Sequence, residues 1–397
     1  MRVCHSLTEQ PKATVMNRGI KTYSGYMMTM RTNRQCGIVV SVSILCFLAH
    51  YVNYNLLYNP NQNTTSKHLA TGKEIIYNLN PTPTYNIVYY NMPSWMSLDF
   101  NILNSSNCPQ LRARCLVFTH NKYLDSANAV VFDAESLGRV PKKKEGQIWT
   151  FFSIESPFFY SVGHQWKDKF SWTMTYRHDS DFKYLYGKVY ERDAPVTRDY
   201  SEIFRRKSKN VAWAVSNCNT PSKRELYVRK LQQYIDVDVY GGCGKLKCGT
   251  RSAGVTECHK KFAEEYKFFL AVENSVCKDY TTEKLFNFFF YDLAMIPIVN
   301  GPQNVHEYIP KGTYINIMDY SSPSELAKDL QRIGSDESIY SSYLKEKDKY
   351  GSRRSTWLNM LCPMCASIHE QRRSSSIPDS SIPDINSWIW NDTCIKL

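Results

Sequence analysis

The second half of the chain alternates short apolar runs with longer stretches whose apolar residues recur at helical spacing. Apolar runs of this length predict strands, and the 3.6-residue spacing predicts helices. Because strands that alternate with helices form parallel sheets covered on both faces, this half predicts an α/β unit. The predicted strands are 211–215, 237–240, 268–272, 296–299 and 314–317, and the predicted helices are 226–235, 282–293 and 324–333.

The first half carries shorter β-rich runs separated by polar stretches with Gly and Pro. The clearest runs are 114–119, 129–132 and 147–154. Two such halves predict an α/β fold of two Rossmann-like domains that face each other across a cleft. We place the first domain at 86–200, the second at 201–350 and a C-terminal segment at 351–397.

The N-terminal region contains an apolar run at 37–49 that continues amphipathically to residue 58. Basic residues precede this run and none follows it closely, which predicts a cytoplasmic tail at 1–36 and a lumenal body. We therefore predict a signal-anchor helix at 37–58 and a stem at 59–85, as in a single-pass type II membrane protein. A cleaved signal peptide is the alternative, although the apolar run begins late for one.

Net charge does not point to nucleic acid. The 397-residue chain carries a net charge of +12, of which residues 1–35 contribute +5. The remaining charges are mixed and form no sustained basic run, which is typical of a solvated surface. We expect no nucleic-acid partner.

Cysteines and glycosylation sequons fit a lumenal body. Ten of the thirteen cysteines lie beyond the predicted anchor, an even number that favours pairing in an oxidising compartment. Sequons for N-glycosylation begin at Asn63, Asn104 and Asn391, all beyond the anchor as well. Both patterns support the predicted topology.

Polar residues cluster where the strand predicted at 268–272 ends. Glu273, Asn274 and Tyr280 follow this strand, and a predicted helix then begins with Glu283 and Lys284 in its first turn. Ligands of open parallel sheets bind at the carboxyl ends of strands, and a helix N-terminus there offers amide donors to phosphates. The sequence therefore predicts a pyrophosphate site. The alternative is that Glu283 is only a favourable first-turn acid and Lys284 a solvated cation.

The segment VENSVCKDYTTEKLF at 272–286 resembles the donor-site signature of the α-1,3-fucosyltransferases, which are glycosyltransferase family 10. Four other motifs match this family in the same order, and the resemblance covers about residues 108–370. It implies a two-domain GT-B fold, a Golgi membrane location, GDP-fucose as the donor and an inverting single displacement. The other motifs are FSIESP at 152–157, FSWTMTYRHDSD at 170–181, VAWAVSN at 211–217 and SPSEL at 322–326.

Inversion at a sugar carbon requires a base that takes the proton of the attacking hydroxyl. Glu155 matches the family position assigned this role; a turn-forming glutamate is the alternative. The resemblance further implies that Arg224 and Lys284 stabilise the charge of the leaving diphosphate. The alternative for Arg224 is a position on a solvated helix face. The donor-binding residues it implies are Arg224, Asn274, Tyr280, Glu283 and Lys284.

The resemblance also bears on the cysteines. Cys362 and Cys365 resemble a C-terminal Cys-x-x-Cys of the family that pairs with two first-domain cysteines, here Cys108 and Cys115. A zinc or redox site is the alternative for this motif. The dense polar cluster at 176–181 lies near the cleft in the family, either as a structural network or as a set of ligand contacts.

Acceptor choice rests on two further features. Cys218, Cys243, Cys248, Cys258 and Cys277 resemble the invertebrate and plant enzymes that act on the asparagine-linked GlcNAc of N-glycans. The residues FDAE at 132–135 replace a His-rich acceptor segment of the Lewis-type enzymes. We therefore predict a core-type enzyme; a Lewis-type enzyme or an inactive glycan-binding relic are the alternatives.

The expected partners are GDP-fucose, an N-glycan or glycoprotein acceptor, and the Golgi membrane through the anchor. We expect no metal site and no cofactor for the chemistry itself. Stimulation by a divalent cation such as Mn²⁺ stays open.

Overall fold

The computed structural model describes residues 82–93, 96–249, 254–302, 304–374, 382, 384–391 and 393–395. The predicted tail, the signal anchor, nearly all of the stem and the sequon at Asn63 lie outside the described residues. Within the described part, no helix is both long and apolar enough to cross a membrane. The anchor therefore stays a prediction.

Seven strands form one sheet in the first half of the described chain. They are β1 (Thr84–Tyr90), β2 (Ile102–Leu103), β3 (Arg114–Phe118), β4 (Ala129–Asp133), β5 (Ile148–Ser153), β6 (Trp172–Thr175) and β7 (Phe182–Lys183). Their order across the sheet is β2-β3-β1-β4-β5-β6-β7. All neighbours run parallel except β2 and β3. The parallel strands thus present their carboxyl ends at one edge, the usual place for a ligand.

A second sheet of five parallel strands follows. It contains β9 (Lys209–Ala214), β10 (Val237–Tyr240), β11 (Tyr266–Leu270), β13 (Ile296–Val299) and β14 (Ile315–Asn316), in the order β10-β9-β11-β13-β14. Two short antiparallel ribbons complete the strands. They pair β8 (Lys188–Glu191) with β15 (Tyr350–Arg353), and β12 (Val276–Cys277) with β16 (Cys394–Ile395).

Helices cover both faces of the second sheet, as buried parallel strands require. Six helices belong to this half: α1 (Tyr200–Arg206), α2 (Arg224–Leu231), α3 (Gly254–Glu265), α4 (Glu283–Phe290), α5 (Pro323–Ser335) and α6 (Glu337–Lys347). Leu231, Leu330 and Leu344 bury α2, α5 and α6 against one face. Phe262 and Phe288 bury α3 and α4 against the other.

After the second sheet the chain returns to the first. Helix α7 (Trp357–Ser374) packs there through Met360, Met364 and Ile368. The disulfides Cys108–Cys362 and Cys115–Cys365 fasten α7 to β3 and to the loop before it. These two bridges therefore join the C-terminal segment to the first core. They do not join one sheet to the other.

Helix α8 (Ile385–Trp390) lies on the opposite face of the first sheet. Ile385 and Ile389 are buried there among the aromatic side chains of Phe132, Trp166 and Phe170. The first sheet is thus sandwiched between two helices that follow the second sheet in sequence. Short 3₁₀ turns lie at Asn121–Ser126, Ala134–Ser136, Pro157–Phe159, His164–Trp166, Val305–Glu307 and Ile317–Asp319.

Most predicted elements of the second half appear, with shifted ends. The predicted strands 237–240 and 296–299 coincide with β10 and β13. The strand predicted at 268–272 lies two residues earlier, because β11 begins at Tyr266 and ends at Leu270, and the next two residues lead as irregular chain towards Glu273. The strand predicted at 314–317 shrinks to β14. There the Asn316 side chain accepts a hydrogen bond from the backbone N–H of Met318 and starts a 3₁₀ turn.

Candidate active site

Glu155 lies two residues beyond β5, at the carboxyl edge of the first sheet. Its side chain is half-buried, and Tyr280 Oη donates a hydrogen bond of 2.8 Å to Glu155 Oε2. Burial raises the pKa of Tyr280 well above its usual value, and the charges of Tyr186 and Glu155 raise it further. The phenol therefore stays protonated and acts as the donor. One hydrogen bond thus joins the predicted base to the predicted donor-binding segment.

The N-terminus of α4 is hydrogen-bonded to a buried carboxylate. Glu273 is 3% exposed, and its Oε1 accepts hydrogen bonds from Thr282 N at 2.8 Å and Thr282 Oγ1 at 2.9 Å. Thr282 is the N-cap residue of α4, and its hydroxyl accepts from Lys284 N. A negative charge at a helix N-terminus is favourable, because the helix dipole is positive there. Glu273 therefore fixes where this N-terminus points.

Lys284 projects from the first turn of α4. Its Nζ lies 3.0 Å from Glu273 Oε2 and 3.3 Å from Glu283 Oε1, and it donates to Thr282 Oγ1 at 2.8 Å. Burial lowers the pKa of Lys284, but the charges of Glu273 and Glu283 outweigh it, so the net shift is upward. The ammonium stays protonated and its position is fixed.

Arg224 is the first residue of α2, on the other side of the crevice between the carboxyl ends of β9 and β11. It is 6% exposed, and its Nη1 donates to Val272 O at 2.6 Å. Its Nε is buried without a hydrogen-bond partner, and so is Asn274 Oδ1. Buried polar atoms in proteins almost always have partners. Arg224 Nε and Asn274 Oδ1 are exceptions to this rule.

The two sheets meet at this site through a few direct contacts. Ser156 Oγ donates to Ser275 Oγ at 2.6 Å, one residue beyond Glu155 and Asn274 respectively. The rings of Tyr176 and Tyr280 pack edge to face with centroids 4.8 Å apart. The carboxyl edges of both sheets therefore face each other here. The structure brings Glu155, Asn274, Tyr280, Glu283, Lys284 and Arg224 to this junction.

Family models match most of the described chain. One, described as "Fucosyltransferase, N-terminal", matches residues 82–187, and another, "Glycosyltransferase family 10 (fucosyltransferase) C-term", matches 204–388. Alpha-(1,3)-fucosyltransferase C of Drosophila melanogaster is 31% identical over 76% of this chain and 74% of its own length. The chain belongs to glycosyltransferase family 10. It is an enzyme of the α-1,3-fucosyltransferase type.

Other relatives differ in their sequence identity to this chain and in the fraction of each chain that aligns. Glycoprotein 3-alpha-L-fucosyltransferase A of D. melanogaster is 35% identical over 61% of this chain, which spans 47% of that protein's length. Alpha-(1,3)-fucosyltransferase fut-5 of Caenorhabditis elegans is 29% identical over 92% of this chain and 97% of its own. A crystal structure of an α1,3-fucosyltransferase with GDP-fucose aligns with TM-score 0.48 at 14% identity, over 79% of this chain and 95% of that one.

The fucosyltransferase supports its donor segment with residues that the sequence pattern did not single out. Asn300 accepts a hydrogen bond from Glu273 N and donates to Glu273 O at 3.0 Å. Ser222 Oγ also donates to Glu273 O, at 2.8 Å. Asn300 directly follows β13, so its place at the carboxyl end of a neighbouring strand was the signal available. Ser222 precedes α2 and carried no comparable signal.

Residues of the polar cluster at 176–181 form ion pairs and hydrogen bonds with other residues of the fucosyltransferase. Arg177 and Asp179 form an ion pair at 2.5 Å, and the backbone N–H of His178 donates to Asp279 Oδ2 at 3.0 Å. Asp181 Oδ2 accepts from Thr173 Oγ1 at 2.8 Å. The cluster thus connects the end of β6 to the donor-binding segment.

The edge around Glu155 is acidic. Burial raises the pKa of Asp133, at the end of β4, to about 6. The pKa of Glu135 is raised by burial and then by the charges of Asp133 and Glu155. Residues of the described chain form no cluster of three or more His, Cys, Asp or Glu side chains that could hold a metal ion. Asp133 and Glu135 therefore place two carboxyl groups on the same edge as Glu155.

The two described sequons differ in their surroundings. Asn391 is exposed at the end of α8. Asn104 is half-buried, and its Oδ1 accepts a hydrogen bond from Ser106 N at 2.8 Å. Whether either carries a glycan stays a prediction.

Proposed function

We propose that this enzyme transfers L-fucose from GDP-fucose, in α-1,3 linkage, to the asparagine-linked GlcNAc of N-glycan cores, with inversion at the fucose carbon. The observation that carries the proposal is the junction at which Glu155, on one sheet, meets Tyr280, on the segment that also holds Lys284. A base and a leaving-group clamp on facing edges are what a single displacement requires.

The donor half is supported by its unpaired polar atoms. Arg224 Nε and Asn274 Oδ1 are buried without partners, and Lys284, in the same segment as Asn274, is held protonated. A nucleoside diphosphate supplies the anionic oxygens that Arg224 and Lys284 would meet and hydroxyls that Asn274 would accept from. In this proposal the two sheets act as the two halves of a GT-B fold, with GDP on the second.

In the proposed reaction, Glu155 takes the proton from O3 of the acceptor GlcNAc as this oxygen bonds to the anomeric carbon of fucose. The bond from that carbon to the β-phosphate oxygen breaks at the same time, and its electron pair leaves with GDP. Lys284 and Arg224 stabilise the charge that develops on the diphosphate. The hydrogen bond from Tyr280 holds Glu155 at the junction. We propose that the reaction needs no cofactor, with Mn²⁺ at most a stimulant.

The acceptor class is supported by the acidic edge and by the cysteines. Asp133 and Glu135 present carboxylates beside Glu155 in place of histidines. All five cysteines of the core-type group are bridged, as Cys218–Cys243, Cys248–Cys258 and Cys277–Cys394. The similarity to a glycoprotein 3-α-L-fucosyltransferase of D. melanogaster favours the same acceptor class.

An antennal acceptor, N-acetyllactosamine or its GalNAc analogue, is the second candidate. It is favoured by the 33% identity, over 66% of this chain, to a human enzyme named 4-galactosyl-N-acetylglucosaminide 3-alpha-L-fucosyltransferase. An inactive glycan-binding relic is the third. The relic is disfavoured because Glu155, Lys284 and Tyr280 are all present and in contact with partners.

We further propose that the enzyme resides in the Golgi membrane as a single-pass type II protein, anchored through residues 37–58, with its catalytic part in the lumen. The five disulfides support an oxidising compartment for that part.

The test is a transfer assay with GDP-fucose on two acceptors, a trimmed N-glycopeptide and N-acetyllactosamine, with Glu155→Gln as the blank. We expect α-1,3-fucose on the core GlcNAc of the glycopeptide, and much slower reaction with N-acetyllactosamine. Preference for N-acetyllactosamine would move the assignment to the antennal class. No transfer to either, with GDP still bound, would identify a relic.

A further inference from the structure

The last described part of the chain, residues 384–391 and 393–395, touches both sides of the active site; we call it the C-terminal clasp. Its helix α8 is anchored on the first sheet by Ile385 and Ile389, and Asn386 Nδ2 donates to Val162 O at 3.0 Å. Trp390 packs edge to face on Phe158, with ring centroids 5.1 Å apart. Phe158 is only three residues beyond Glu155, so the clasp supports the segment that carries the base.

The other end of the clasp lies on the donor-binding segment. β16 pairs with β12, Thr393 O accepts a hydrogen bond from Lys278 N at 2.5 Å, and Cys394 is disulfide-bonded to Cys277. These contacts fall between Asn274 and Tyr280. The clasp is therefore covalently tied to the segment that presents donor-binding residues.

The polar cluster at 176–181 is the connection between the two ends. The guanidinium of Arg177 lies 4.0 Å from the ring centroid of Trp388 and donates a hydrogen bond to Trp388 O. Asp179 pairs with Arg177 and lies 3.5 Å from Lys278 Nζ. A series of contacts between charged side chains thus connects α8, through the cluster, to the predicted donor-binding segment. This gives a physical role to a motif that the reaction itself does not use.

We propose that the C-terminal clasp is a positioning element of the enzyme, with Cys394 and Trp390 as its positioning residues. Cys394 fixes the segment 274–282 through Cys277, and Trp390 fixes the segment after Glu155 through Phe158. The clasp is covalently bonded to the donor edge through Cys277–Cys394 and packs non-covalently against the base edge through Trp390, so it connects both edges. The inference rests on the proposed function where it concerns kcat and GDP affinity. Where it concerns amide hydrogen exchange, it rests on the fold alone.

The test compares two disulfide deletions in the otherwise intact lumenal chain. Cys277→Ser/Cys394→Ser removes the bridge of the clasp, and Cys248→Ser/Cys258→Ser removes a bridge at α3, outside the active site, as the matched control. We expect the clasp variant to exchange amide hydrogens faster over 274–282, to lose about fivefold in GDP affinity, and to lose about tenfold in kcat. The control should change none of these beyond the effect of lower overall stability.

A second variant avoids the cysteines. Trp390 is 41% exposed, so Trp390→Ala should fold, with the exposed Tyr234→Ala as its control. We expect Trp390→Ala to lower kcat several-fold while GDP affinity stays unchanged, because only the base side loses its support. A purely structural role would instead lower the thermal stability and leave kcat of the folded enzyme intact.

The outcomes separate the clasp from the proposed function. If the clasp variant matches its control in exchange over 274–282 and in GDP affinity, the clasp proposal is wrong. If wild-type protein neither binds GDP nor transfers fucose, the proposed function fails, and the exchange experiment still decides whether the clasp orders this segment. Unchanged kcat in Trp390→Ala would remove Trp390 from the positioning residues.

Discussion

The two edges that meet at the active site are built differently. At the second sheet, Thr282, Asn300 and Ser222 each hydrogen-bond to Glu273, and Glu273 and Thr282 hold Lys284 in place. At the first sheet, Glu155 is half-buried, and the side-chain hydrogen bond described for its carboxylate comes from Tyr280 on the opposite edge. A fixed edge suits a constant ligand such as a diphosphate, since preorganisation avoids an ordering cost on binding. In the proposed reaction, the less constrained first edge would leave the Glu155 carboxylate available to an acceptor hydroxyl.

The sharpest test of this comparison removes the base. We expect Glu155→Gln to lower the transfer rate by roughly 10²–10⁴-fold, because general-base assistance is lost. GDP affinity measured by calorimetry should not change, since the donor edge stays intact. Glu135→Gln, at the same edge, is the control and should have a far smaller effect on kcat. Near-normal turnover in Glu155→Gln would assign the base elsewhere.

Loss of a bridge in the first core should affect stability and spare the donor edge. Cys365→Ser opens a disulfide with a sequence separation of 250 residues. Chain-entropy models give more than ~4 kcal/mol for such a loop, although measured values are often smaller. We expect lower secretion yield and lower Tm of the lumenal part, with the GDP affinity of the folded fraction unchanged.

The wild-type protein provides a direct check of the two bridges against the zinc alternative for Cys362 and Cys365. A zinc site would lose stability to a chelator and resist mild reductant, whereas the bridges should behave in the opposite way. Free thiols at both positions in non-reducing peptide maps would contradict the two bridges.

The donor edge is tested by its fixed cation. Lys284→Ala should weaken the binding of both GDP and GDP-fucose by about 1.5–3 kcal/mol, the typical value of a charge-assisted contact. The exposed Lys311→Ala serves as the control for a general loss of charge. Calorimetry with GDP measures the effect, and equal affinities for wild type and Lys284→Ala would return Lys284 to a purely structural role beside Glu273.

The smallest expected effect concerns the acidity of the base edge. The folded-state pKa of Asp133 is about 6, above its value in an unfolded chain, so its burial favours the protonated form. The stability linked to Asp133 is therefore fully present below about pH 4 and is lost as the pH rises through about 6. We expect Asp133→Asn to be more stable than wild type by about 1–2 kcal/mol at pH 7.5 and equal to it near pH 4. Denaturant titrations at the two pH values measure this, and a pH-independent difference would contradict the shifted pKa.

The pattern of apolar residues predicted where the strands lie more accurately than where they begin and end. β10 and β13 match the predicted runs because each is a short apolar stretch bounded by polar residues. β11 ends two residues early, because Ala271 and Val272 are apolar yet serve as the approach to the crevice. Apolar periodicity reports burial, and these residues are buried without being in a strand. Local pattern cannot separate the two cases.

The residues predicted to bind the donor could be grouped from the sequence because they follow one another along a single strand–loop–helix segment. Glu273, Asn274, Tyr280 and Lys284 are separated by at most a few residues each, so strand direction and helix start were enough to place them together. Which residues hold them did not follow from local order. Asn300 and Ser222 come from neighbouring strand and helix ends, and only the packing of the sheet brings them to Glu273.

The sequence by itself determined the alternation that makes parallel sheets, and the short segment where donor chemistry is concentrated, because both depend on contacts between near neighbours in the chain. Only the tertiary structure decided which cysteine pairs with which, that α7 and α8 belong to the first sheet, and that the C-terminal clasp reaches both active-site edges. Three of the five disulfides of the described chain join residues more than a hundred positions apart, such as Cys277 with Cys394. Such pairs are selected by the packing of whole sheets, which no local pattern in the chain records.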